Sequence, residues 1–252
     1  MVTDKVKISV VSYLNSKPFL FGIEQSEISK QIDLQLDIPS VCARKLIENQ
    51  VDIGLVPVAI IPALKQHFII SDYCIGAVGK VSSVMLYSQV PLNAIKQVLL
   101  DYQSRTSVTL VKVLAKAYWH ISPEWFPATE NFEEQIKDTT AAVIIGDRTF
   151  GLENKYAYAY DLSEEWQKFT KLPFVFACWV ANKELPKSFV TEFNAALKYG
   201  IDHRGTLIEA LRTAKTYKTD VENYLKNSIS YDYDSDKKQA LALFLELAAK
   251  LS

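Results

Sequence analysis

The period of the hydrophobic pattern switches repeatedly near the start of this chain, and that switching narrows the possible folds more than any other feature. Residues 6–12, V-K-I-S-V-V-S, form a β-branched run that reads as a strand. Pro18 then suits the first turn of a helix, where its missing N–H would find no acceptor anyway, with Asn15 or Ser16 as the cap. Across 31–39, Ile32, Leu34, Leu36 and Ile38 alternate with polar residues, which predicts a strand with one buried face. Ser40 follows as N-cap for a helix over V-C-A-R-K-L-I-E-N-Q. Residues 51–58 are a nearly continuous apolar run, as in a strand buried on both faces. Strand, helix, strand, helix, strand implies an α/β sheet with helical crossovers.

The pattern then restarts. F-I-I-S-D-Y-C-I-G-A-V-G and S-S-V-M-L-Y-S-Q read as two strands, and 95–101 as a third that ends at Asp101. Residues 104–119 open on hydroxyls and continue with Val108, Val111, Leu114 and Tyr118 at helical spacing; 140–147 read as a strand ending at Asp147. After a loop, 173–181 form an apolar strand. Beyond Pro186 the chain reads as helical, near 186–203, 205–214, 217–228 and 236–250. The 252 residues suffice for two lobes, each with its own core. We expect 1–88 and 180–252 to build one lobe and 89–179 the other, with strands near 82–88 and 174–181 crossing between them.

Several function classes are excluded by composition. With 28 basic and 29 acidic residues the net charge is −1, so no global positive field exists for nucleic acid or an anionic membrane. The aromatic run Y-A-Y-A-Y-D at 156–161 lacks the surrounding Lys and Arg that stacked bases need. Cys42, Cys74 and Cys178 are odd in number and far apart, which suits reduced thiols. His67, His120 and His203 are scattered, and no metal-ligand pattern is present. No run of about 18 apolar residues could span a membrane. The first residues do not read as a leader peptide, so a cytoplasmic location is expected. There is no G-x-G-x-x-G, no G-x-x-x-x-G-K-[ST] and no G-x-S-x-G, against a dinucleotide enzyme, a P-loop or an α/β-hydrolase.

In parallel sheets, ligands bind beyond the carboxyl ends of the strands. Three polar clusters fall there: Ser12, Asn15, Ser16 and Lys17; then Gly79, Ser82 and Ser83; then Asp101, Ser104, Arg105, Thr106 and Ser107, just before a helix. A helix N-terminus offers free N–H donors and partial positive charge to a carboxylate or phosphate. Hydroxyls add neutral donors, and Arg105 could pair bidentately with a carboxylate. Each residue also has a structural reading: Asn15, Ser104 and Ser107 as caps, Asp101 as a turn former, Asp147 as a strand-end anchor. The residues alone lead to a two-lobed α/β protein with an anion-binding cleft.

The segments S-Y-L-N-S-K-P (12–18), D-I-P-S-V-C-A-R-K-L-I-E-N-Q-V-D-I-G-L-V-P-V (37–58), G-K-V-S-S-V-M-L-Y-S (79–88), L-D-Y-Q-S-R-T-S-V-T-L (100–110), I-G-D (145–147) and L-P-F-V-F-A-C-W-V-A (172–181) occur in this order. Together they resemble the chorismate dehydratase family of the futalosine route to menaquinone. The resemblance implies a periplasmic-binding-protein type II-like fold with a ligand cleft between lobes and a helical C-terminal segment. It implies a hydro-lyase that converts chorismate to 3-[(1-carboxyvinyl)oxy]benzoate, with no metal or organic cofactor and with a small dicarboxylate as its partner. The substrate's own enolpyruvyl carboxylate would take the proton, with Asn15 orienting it or aiding departure of the hydroxyl. Substrate binding would fall to Ser12, Ser82, Ser83, Ser104, Arg105, Thr106, Ser107 and Asp147. Competing readings are a non-catalytic solute-binding protein of the same fold, the effector lobe of a regulator, and the sister enzyme that makes 1,4-dihydroxy-6-naphthoate. The last differs at the S-Y-L-N corner and uses a His, and none of the three His here lies in a comparable motif.

Overall fold

A computed structural model describes residues 5–214 and 217–251. Residues 1–4, read above for a leader peptide, and 215, 216 and 252 lie outside the described residues. The opening alternation forms β1 (Val6–Val11), α1 (Lys17–Glu24), β2 (Ile32–Asp37), α2 (Pro39–Ile47) and β3 (Ile53–Pro57), with β1 parallel to both β2 and β3. After β4 (Phe68–Ala77) come β5 (Val84–Ser88), β6 (Gln97–Leu100), α3 (Thr106–Leu114), β7 (Glu124–Pro127), β8 (Thr140–Ile145), β9 (Tyr158–Asp161) and α4 (Leu162–Thr170). The chain closes with β10 (Phe174–Ala181), α5 (Lys187–Asp202), α6 (Arg204–Ala214), α7 (Val221–Asn223, running into a π-helical turn Tyr224–Ser228), β11 (Ser230–Asp232) and α8 (Ser235–Ala249).

Two sheets result, ordered β11-β4-β10-β3-β1-β2 and β7-β6-β8-β5-β9. The expected boundaries at 88/89 and 179/180 need correction, because β5 belongs wholly to the second sheet and β10 to the first. The continuous apolar runs are the interior strands β3 and β10, buried along their whole length. The alternating strand β2 is an edge: Ile32 is buried, but Leu36 is 54% exposed. α1 lies against α5 at backbone contact. A Cβ on Gly22 would fall 2.0 Å from the Ala196 carbonyl oxygen, and one on Gly200 1.9 Å from that of Pro18. This close approach fixes α1, and with it the polar corner at its start.

The caps expected for α1 and α2 are absent. Ser16 precedes α1, but its hydroxyl bonds the Val11 carbonyl and lies 2.8 Å from that of Tyr13, and Asn15 caps nothing. Ile38, not Ser40, precedes α2, whose first residue is Pro39. Helix α4 stands where a loop is expected, and β7 and β11 are additional strands. Among the described residues no helix is long and apolar enough to cross a membrane.

Candidate active site

The first wall of the site is the corner after β1. Leu14–Ser16 form a 3-10 turn whose Leu14 N–H donates to Asp147 Oδ1 at 3.1 Å, beyond the end of β8. The Tyr13 hydroxyl donates to Gln103 Oε1, and Ser40 N–H donates to the Gln103 carbonyl at 3.1 Å. Gly146 has φ +65°, and a Cβ there would meet the Tyr13 ring at 2.7 Å, so glycine lets the ring lie directly on the second sheet's end. The corner is therefore anchored to both sheets. Within it, the Asn15 carbonyl accepts from the Tyr231 hydroxyl at 2.9 Å, whereas the buried Asn15 Oδ1 has no partner. Among the described residues no group donates to this oxygen, so a ligand in the cavity can.

The second wall is the loop before β5. Asp161, the N-cap of α4, accepts N–H bonds from Ser163 (3.0 Å) and Glu164 (3.2 Å) with one oxygen and from Val81 (2.9 Å) and Ser82 (2.6 Å) with the other. Burial pushes its carboxyl up to about 6, against the pull of these four N–H groups. This clamp holds Ser82 at φ +64° and presents the next residue, Ser83, to the interior. Ser83 is buried, and its Oγ accepts from the Tyr224 hydroxyl at 2.8 Å.

The third wall is the N-terminus of α3. Buried Asp101 shapes the turn before it: Oδ1 accepts from Gln103 N–H (2.9 Å), and Oδ2 accepts from Ile145 N–H (3.0 Å) and the Arg148 guanidinium. Ser104 Oγ accepts from Ser107 N–H at 3.0 Å, a capping bond. The Thr106 hydroxyl donates to the Phe176 carbonyl at 3.0 Å and accepts from Ala59 N–H at 3.3 Å. Its proton is spent on the fold, so what Thr106 can offer a ligand is its N–H, which has no intrahelical acceptor at the first helical position. The Ser107 hydroxyl makes no bond among the described residues.

These walls face one concave cavity that is partly open to solvent. Asn15, Ser83, Ser104, Thr106 and Ser107 line it with Tyr13; Pro39, Pro57, Ile145 and Phe176 are among its apolar surfaces. Most of these residues follow the carboxyl ends of parallel strands, where the topology places a ligand. Among the described residues, no Asp, Glu, Lys, Arg or His lines the cavity. Its single titratable group there, Tyr13, is pushed above the usual range by burial, with Arg148 opposing. The other expected site residues lie elsewhere. Ser12 is exposed and its N–H donates to the Asp37 carbonyl (3.0 Å); Arg105 is exposed; Ser82 and Asp147 brace the walls through Asp161 and Leu14. Tyr13, Phe176 and Tyr224 were not picked out from the sequence. Tyr13 stands inside S-Y-L-N and could have been found there, whereas Tyr224 comes from the C-terminal segment and carries no local signal.

The sequence matches the menaquinone biosynthesis family over residues 6–250. The chain belongs to that family. Among curated members, the chorismate dehydratase of Thermus thermophilus is 26% identical over 230 residues, covering 83% of this chain and 84% of that protein. Solved structures agree on the fold. A protein from Archaeoglobus fulgidus superposes with a TM-score of 0.76 at 15% identity, covering 99% of this chain and 98% of its own. A Candida albicans gene product described as having the generic periplasmic binding protein fold superposes at 0.65 and 14% identity, covering 99% and 92%. This menaquinone biosynthesis family member thus has a periplasmic-binding-protein-like fold of two α/β sheets with helices, as the ordered motifs implied.

Proposed function

We propose that the cavity takes chorismate and removes water from it to give 3-[(1-carboxyvinyl)oxy]benzoate, as a cytoplasmic step of the futalosine route to menaquinone. The observation that carries this reading is the meeting of Asn15, with its unpaired oxygen, and the N-terminus of α3 in one uncharged cavity. Chorismate is a dicarboxylate with an apolar ring face. Free N–H groups of α3, the Ser107 hydroxyl and Ser83 supply neutral donors for carboxylate, and Phe176, Pro39 and Ile145 supply apolar surface for the ring. Membership of the family and the chorismate dehydratase relative support the same substrate.

The chemistry fits a wall without charge. The C3–H bond breaks, its electron pair enters the ring, and the C4–O bond breaks, so that proton and hydroxide together make the water that is lost. Aromatisation drives the step; orientation and charge stabilisation are what the protein must contribute. A protein base would be a His, Glu, Asp or Lys at the wall, and among the described residues none lines this cavity. The substrate's enolpyruvyl carboxylate is the base in our reading, with Asn15 orienting it or easing departure of the hydroxyl. The same uncharged wall favours a second reading, a small-anion binder without chemistry. Incubation of the purified protein with chorismate alone separates them. Product one water lighter by mass supports dehydration, and bound but unchanged chorismate supports the binder.

A further inference from the structure

Gln103, between β6 and α3, bonds through its backbone and its side chain to both sides of the cavity. On its own side, its N–H donates to Asp101 Oδ1 at 2.9 Å and its side-chain NH2 to the Tyr102 hydroxyl at 3.0 Å. On the first sheet's side, its carbonyl accepts from Ser40 N–H at 3.1 Å and its Oε1 from the Tyr13 hydroxyl. The carboxamide is held from behind. The Tyr102 ring carries the Arg148 guanidinium 5.4 Å from its centroid, and that guanidinium bonds buried Asp101. These contacts border the cavity: Tyr13 lines it, Ser40 follows the lining residue Pro39, and Gln103 precedes the lining residue Ser104. The bond from Leu14 N–H to Asp147 Oδ1, at 3.1 Å, joins the same two sides. The chain itself passes between the sheets twice, between β4 and β5 and between α4 and β10. Two chain crossings alone do not fix the distance between the Asn15 corner and the N-terminus of α3, so side-chain bonds must.

We infer that Gln103 is a positioning residue, a latch that holds the Asn15 corner against the N-terminus of α3 in the free protein, so that the cavity is assembled before substrate arrives. The Gln103 side chain supplies the acceptor for Tyr13, and its seat on Asp101 and Tyr102 fixes where that acceptor stands. A substrate that touches Asn15 and α3 together needs both walls at one spacing. When the assembled form is only a fraction of the free protein, apparent affinity falls by that fraction. The inference rests on the dehydratase reading for its substrate, but the latch itself does not.

Gln103→Ala removes the carboxamide and keeps the backbone carbonyl that Ser40 N–H meets. Amide hydrogen exchange without chorismate, followed by NMR, reads the latch directly. The Ser40 and Leu14 amides should exchange about 10-fold faster, while Asp52 N–H, bonded to the Lys7 carbonyl at 2.8 Å inside the first sheet's side, keeps its rate. Leu14 decides, because its acceptor is Asp147 and the substitution alters no atom of that bond. Tyr13→Phe removes the other end of the Gln103 bond and should speed the Leu14 amide equally, with the double variant no faster than either single one. In steady-state turnover of chorismate, Gln103→Ala should raise KM about 10-fold with kcat within about threefold, because saturating substrate restores the assembled form. A protein that merely folds badly would lose kcat instead. A Leu14 amide within about twofold of wild type in either variant, or a Gln103→Ala KM within about twofold, overturns the inference. If wild type leaves chorismate unchanged, the dehydratase reading fails by itself, and the Leu14 amide still decides the latch.

Discussion

Replacing Thr106 by Val tests how the site is held together. The two side chains have nearly the same shape, so the change removes one hydroxyl and little else. That hydroxyl joins three parts of the fold: α3, the Phe176 carbonyl of β10, and Ala59 N–H in the 3-10 turn Val58–Ala63. Thr106 is 2% exposed, so water cannot replace the lost partner. The 3.0 Å bond to Phe176 is the stronger, and the 3.3 Å bond from Ala59 is long. Leaving a buried group unpaired costs about 1–3 kcal/mol, so the pair together should cost about 2–4 kcal/mol. For a chain of this length each kcal/mol moves the thermal midpoint by about 2–4 °C, which gives a fall of roughly 4–16 °C. Thr106→Ser keeps the hydroxyl and should recover most of it. Urea unfolding of the three proteins is the assay. A Thr106→Val protein within about 0.5 kcal/mol of wild type would refute the structural role, because surface-like changes stay inside that range.

Asn15→Ala should lower chorismate turnover by at least about 100-fold, as loss of a preorganised polar group does, while the thermal midpoint holds steady because a buried unpaired oxygen leaves with it. Differential scanning calorimetry beside the activity assay reads both effects. Gly146→Ala should destabilise by about 2–4 kcal/mol, from the left-handed backbone and from the Tyr13 ring that must move aside, and a denaturant titration checks it. Asp161→Ala orphans four N–H groups and should cost about 2–4 kcal/mol, with faster amide exchange at Val81 and Ser82 as the local readout.

Much of the fold was legible because periodicity survives burial. The run of β1 through β3 follows from β-branched and apolar spacing, and the parallel strand ends locate the polar corner near Asn15. Where the sequence misled, competing signals explain it. Helix α4 is announced by Asp161 as cap and by Glu164 and Glu165 in its first turn, but the flanking tyrosines and the apolar 173–181 suggested loop and strand. β7 is four residues long and ends in Pro127, so no alternation could form. Hydroxyl-rich stretches marked the neighbourhood of the site but not which groups face it. Arg105 and Thr106 are adjacent, yet one is exposed and the other lines the cavity, a difference set by α3's rotation rather than by residue type. Tyr231 reaches the Asn15 corner from 216 positions away and Tyr224 reaches Ser83 from 141, which no local pattern encodes.

The central claim is that the bound molecule removes its own proton inside an uncharged cavity. The most direct test compares chorismate with its methyl ester at the enolpyruvyl carboxylate, measuring aromatic product from each with the same purified protein. The account predicts dehydration of chorismate and at most about one-thousandth of that rate for the ester, because the general base is gone. Comparable rates for the two would contradict it and assign the base to the protein.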